Sequence, residues 1–137
     1  MKTFKSVKTL MVLVVGIVLA GYITSATAAA GNDKRGRVYF KMVCTVCHMT
    51  QAGKAMPPAS KTMDEWRAYF AADKHDATGS SNGSVKYHIS QEYRNSIQDK
   101  NKAAKKFVKM PDDVLYADVL AFVVKGAKDS DTPATCE

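Results

Sequence analysis

Apolar positions recur along this chain at three- and four-residue intervals, the period of a helix face and not of a strand. In DKRGRVYFKMVC, Gly36, Phe40 and Val43 fall on one face, and in TMDEWRAYFAA so do Met63, Trp66 and Phe70. Thr62, with Glu65 three residues on, forms a capping box that starts the second of these helices. DKHDATGSSNGS, over 73–84, is rich in Gly, Ser, Asn and Asp and predicts a loop. SQEYRNSIQDKNKAAKKFVK, over 90–109, reads as a polar helical stretch with weaker periodicity. PDDVLYADVLAFVVKGA closes the pattern. Pro111 suits a first turn, Asp112 and Asp113 the positive end of the helix dipole, Leu115, Val119, Phe122 and Val123 a single stripe, and Gly126 a stop. With no run alternating as a strand would, the predicted class is all-α: one small domain, with a polar tail from about residue 127 that contributes little to the core.

The first thirty residues belong to a different kind of segment. Lys2, Lys5 and Lys8 form a basic start, Leu10 to Ala20 is apolar apart from Gly16, and Ala26 and Ala28 stand at A-x-A spacing. These are the three parts of a secretory signal peptide, with cleavage expected near residues 28–30. The alternative is an N-terminal membrane anchor, against which the apolar stretch is short of the roughly 20 residues that span a bilayer. In either case residues 31–137 are expected outside the cytoplasm, periplasmic or otherwise exported. Without the leader the chain keeps 17 basic against 13 acidic residues, a formal charge of +4. The basic cluster KNKAAKKFVKM over 100–110 holds Phe107 as its single aromatic and carries no groove-reading motif, so it reads as a solvated helix face and no nucleic-acid partner is expected. A domain this small buries a modest core, which a bulky cofactor would enlarge.

The chemistry concentrates in KMVCTVCHMT, where Cys44 and Cys47 are three apart and His48 follows directly. A redox dithiol of this spacing is expected after a strand in a βαβ unit, whereas Cys44 follows a helical pattern. A structural zinc site needs four ligands, and Cys136, His48, His75 and His88 supply no second pair at finger spacing. Cys-x-x-Cys-His is also the signature of covalent haem attachment. Each thiol adds to one haem vinyl group, and the adjacent histidine is thereby held under the iron.

Gly36, Phe40, Cys44, Cys47 and His48 together give Gly-x-x-x-Phe-x-x-x-Cys-x-x-Cys-His. This resembles the N-terminal helix of the class I cytochromes c, and the stripe ending at Phe122 resembles the C-terminal helix that crosses it. The resemblance runs roughly from Arg35 to Gly126. It implies a small helical domain wrapped around one covalently attached haem c, with Cys44 and Cys47 as attachment points and His48 as an iron ligand. It implies that the glycine allows a close helix crossing, that the aromatic packs beside the haem, and that a proline carbonyl, from Pro57 or Pro58, accepts the hydrogen bond of the second His48 nitrogen. The sixth ligand in the family is a methionine before the last helix, a place held here by Met110, although Pro111 and the final helix follow sooner than the family pattern has them. His88, His75, another methionine or an open site are the alternatives; Met56 also precedes a proline but lies close to the motif, on the side expected for His48. The function implied is that of a monomeric single-electron carrier, not an enzyme, working between protein redox partners. A haem subunit docked in a membrane oxidoreductase, or an open-site haem protein binding a small ligand, are the rival readings. Lys41, Lys54 and Lys61 flank the motif and either rim the haem edge or form an ordinary solvated surface. Cys136 is left over in the polar tail, expected free or capped.

Overall fold

The computed structural model describes residues 30–50, 53, 56–75 and 82–135. The expected leader, all but its last residue, lies outside the described residues, as do Lys54 and Cys136. Among the described residues every regular element is helical and none is a strand.

The chain runs through α1 (Asp33–Tyr39), a wide π turn (Phe40–Cys44) and α2 (Thr45–Thr50) as one rod. A short 3-10 turn (Pro58–Ser60) leads into α3 (Met63–Ala72), and α4 (Val85–Ile89), α5 (Gln91–Ile97), α6 (Lys102–Phe107) and α7 (Asp112–Lys125) follow. Local side chains start most of these. Asn32 Oδ1 accepts the Arg35 N–H at 3.0 Å, and Asn101 Oδ1 accepts those of Ala103 and Ala104 at 2.9 and 3.0 Å. Ser84 and Ser90 accept from Tyr87 and Tyr93. At α3 the capping box is complete: Thr62 Oγ1 accepts the Glu65 N–H at 3.1 Å, and Glu65 accepts the Thr62 N–H at 2.6 Å.

The frame of the molecule is α1 packed across α7, with α3 on another side of α7. A Cβ built on Gly36 meets the Asp118 carbonyl oxygen at 1.9 Å, and one on Gly31 meets that of Ala117 at 2.0 Å, so the two helices touch backbone to backbone where no side chain fits. Beside that crossing, Phe40 and Phe122 pack with ring centres 5.4 Å apart. Tyr39, Val43, Trp66, Phe70, Leu115, Val119 and Val123 complete the main core. Asp118 is buried in the crossing, where its carboxylate accepts the Asn32 N–H at 2.7 Å and pairs with the Arg35 guanidinium.

Two features differ from the sequence reading. The polar stretch 90–109 is two helices, because Asn101 caps α6 and breaks the run after α5. The tail is also not idle: Ala127 is fully buried, the Ala134 N–H donates to Gly126 O, and the Ala59 N–H donates to Ala134 O. Composition marked the segment as polar, but its backbone groups are satisfied by folding back over the Pro58–Ser60 turn. Lys128 N–H donating to Lys61 O at 3.0 Å, and Asp129 accepting the Met63 N–H at 2.8 Å, hold it there.

Candidate functional site

Cys44, Cys47 and His48 are three and four residues apart on the α2 rod, and side chains at that spacing share a helix face. All three are half-buried. The opposite side of the rod is open, with Met42, Val46 and Met49 53%, 47% and 55% exposed. The π turn sets this register. Thr45 N–H reaches back five residues to the Phe40 carbonyl, and the Thr45 hydroxyl donates to the same oxygen at 3.1 Å. One extra residue in the turn rotates the motif relative to the Gly36 and Phe40 face, and such insertions gather at functional sites. Nothing in the periodicity of DKRGRVYFKMVC announces it.

Across from the motif the fold gathers the remaining histidines. The His75 ring centre lies 5.8 Å from that of His48 and 4.7 Å from that of His88. His75 comes from the loop after α3 and His88 from α4, a five-residue helix with Val85 and Ile89 buried under it. His88 Nδ1 is 2.7 Å from the Ser84 carbonyl oxygen, which only accepts, so Nδ1 donates in this contact. Tyr39 Oη donates to the His88 carbonyl at 2.6 Å, tying α4 to the motif-bearing rod. Tyr93 packs on His88 at 5.0 Å, and its hydroxyl is 3.9 Å from Cys47 Sγ.

This surrounding sets the protonation of the site. Burial, and then the neighbouring His88, holds the His48 imidazole below the usual histidine range, so the neutral ring is favoured. Burial pushes the Cys44 thiol up to about 12. A redox-active dithiol needs the reverse, a thiolate made accessible near neutral pH. Burial likewise drives the Tyr39 and Tyr93 phenols upward, so both stay uncharged.

The other sequence candidates are placed as follows. Met110 is half-buried against the core in the turn before α7, with its carbonyl accepting from Arg94 at 2.9 Å. Met56 also packs on the core. The Pro58 carbonyl accepts the Trp66 indole N–H from α3 at 2.7 Å, and the Pro57 carbonyl accepts the Ser60 N–H from its own turn at 2.9 Å. Lys61 Nζ lies over the Trp66 and Tyr69 rings, 5.9 and 5.6 Å from their centres. Arg94 was missed by sequence reading: it is fully buried and donates to the Ser90, Phe107 and Met110 carbonyls and to the Asp112 carboxylate. In a polar helix it carries no signal that separates it from the exposed basic residues around it.

A scan against protein-family models found no match, and searches of curated proteins and of solved structures likewise found none.

Proposed function

We propose that this chain is an exported c-type cytochrome that holds one haem covalently and carries single electrons between protein redox partners. The observation that carries the reading is the half-buried face made by Cys44, Cys47 and His48, with two further imidazoles gathered beside it. The donor set suits such a group. Among the described residues no cluster of three or more His, Cys, Asp or Glu is arranged to hold a metal ion directly. A metal carried inside a macrocycle asks the protein only for donors above and below it, and imidazoles are what the site contains. When bound, haem supplies a one-electron iron couple whose potential follows its axial ligands, burial and hydrogen bonds.

The residues then take distinct parts. Cys44 and Cys47 would hold the haem, each S–H adding across one vinyl double bond, sulfur to one carbon and hydrogen to the other, so that no oxidant would be consumed and the cofactor would stay with the chain in both oxidation states. His48 gives a neutral nitrogen to the iron, which its burial favours. Tyr39 and Tyr93 wall the site without adding charge. The crossing of α1 and α7 keeps the motif fixed while the electron comes and goes.

One observation favours a second reading, a haem subunit docked in a membrane oxidoreductase. Val38, Met42, Val46 and Met49 form an exposed apolar stripe along the rod, at intervals of three and four residues. A protein that purifies only with a larger partner supports docking; a soluble monomer supports the free carrier.

The haem itself is tested by optical spectra of the exported protein and its pyridine derivative, before and after extraction with acidified organic solvent. Thioether-bound haem stays with the chain, and Cys44→Ser with Cys47→Ser abolishes it. Haem that leaves with the solvent contradicts the covalent assignment.

A further inference from the structure

We propose that His75 is the iron ligand opposite His48, with His88 as the residue that positions it; this rests on the haem reading above. Two imidazoles bound on opposite sides of one metal ion, each with its nitrogen about 2 Å away, hold their ring centres roughly 6 Å apart. His48 and His75 stand 5.8 Å apart. Behind His75, the His88 ring packs at 4.7 Å with 31° between the planes, leaving His75 little room to swing away from the motif.

Both histidines sit on a braced frame. The His75 N–H donates to the Gly83 carbonyl at 2.9 Å, which joins the end of the segment after α3 to the residues before α4. Asp73, two residues before His75, accepts from the Lys86 N–H at 2.8 Å and from the Ser84 hydroxyl at 3.0 Å, which ties the end of α3 to the start of α4. His88 is fixed at its ring by the Ser84 carbonyl and at its backbone by the Tyr39 hydroxyl. The carbonyl that holds the His88 Nδ1–H fixes the plane of the ring against which His75 packs. Met110 is also held in place. Its N–H donates to the Phe107 carbonyl at 2.9 Å, Arg94 holds its own carbonyl, and its side chain packs on the core at the entry to α7.

The assignment implies a low-spin iron with two nitrogen ligands and a lower reduction potential than a histidine–methionine pair gives. Ferric electron paramagnetic resonance, far-red absorption and reduction potential should be measured on the haem-loaded wild type, His75→Ala, His88→Ala and Met110→Ala. The wild type is expected to be low-spin without the weak far-red band of sulfur-to-iron charge transfer. His75→Ala is expected to turn high-spin and to return to low spin when imidazole is added, which also shows that the variant is folded. His88→Ala is expected to stay low-spin with a shifted potential, and Met110→Ala to leave the spectrum unchanged. His75→Met is expected to gain the far-red band and raise the potential. A far-red band in the wild type that Met110→Ala removes overturns the assignment, as does a low-spin His75→Ala without added imidazole or a switch to high spin in His88→Ala alone. A wild type with no covalent haem overturns the haem reading instead, and the two failures are thereby distinguished.

Discussion

Arg94 shows how much a single residue can hold in this chain. Its guanidinium is sealed from solvent and donates to three carbonyls, of which those of Ser90 and Phe107 also accept a backbone N–H while that of Met110 relies on Arg94. An unsatisfied buried acceptor costs about 1–3 kcal/mol. Arg94→Met, which keeps the apolar stem and leaves the Met110 carbonyl without its donor, is therefore expected to lower the unfolding free energy by about 1–3 kcal/mol in denaturant titration. Asp118 is a comparable case. Its Arg35 partner is 40% exposed, so water solvates the cation once the carboxylate is gone. Asp118→Ala is expected to cost about 1–3 kcal/mol, mainly from the Asn32 N–H that loses its acceptor, and Asp118→Asn less. Neither residue could be singled out from the sequence, because each sits in a polar position of a helix pattern and its burial depends on a distant element.

The helices were legible to the extent that their signals are local. Thr62 and Glu65 lie within one turn of each other, and the box they were expected to form is present. Its charge has a testable consequence. Hydrogen bonding to the Thr62 N–H, with Lys128 nearby, holds the Glu65 carboxyl below its ordinary range. A carboxyl whose pKa is depressed on folding contributes stability above its unfolded pKa, and that contribution fades as pH falls through the folded value. Thermal unfolding followed from about pH 6 down to about pH 3 is thus expected to show a steeper acid loss for the wild type than for Glu65→Gln, which keeps the bond without titrating. Gly36 was equally legible, as a helix glycine that implies a close neighbour. With the Asp118 carbonyl oxygen 1.9 Å from where a Cβ would stand, Gly36→Ala forces α1 and α7 apart. A loss of about 3 kcal/mol or more in unfolding free energy is expected, since overpacking against backbone relaxes poorly. The break between α5 and α6, the short α4 and the π turn were not legible. Each is too short for periodicity to register.

At the scale of the molecule, Cys44, Cys47 and His48 could be read together because they are contiguous, while His75 and His88 could be named among several candidates but not placed, because they arrive from far along the chain. Neither histidine has a local pattern that picks it out; the fold brings their rings together beside His48. The tail was misjudged for a related reason, since a polar composition conceals backbone bonds made to the Pro58–Ser60 turn. The described residues form a helical domain in which Cys44, Cys47 and His48 lie half-buried on one face of the rod and an apolar stripe is exposed on the other. The measurement that bears most directly on its proposed role is the intact mass of the exported protein after denaturation, with the added mass mapped by proteolysis. One haem on the peptide that contains Cys44 and Cys47 is the expected result, and it should be absent from Cys44→Ser/Cys47→Ser. A wild type at the bare polypeptide mass, with those two cysteines free or joined to each other, contradicts it.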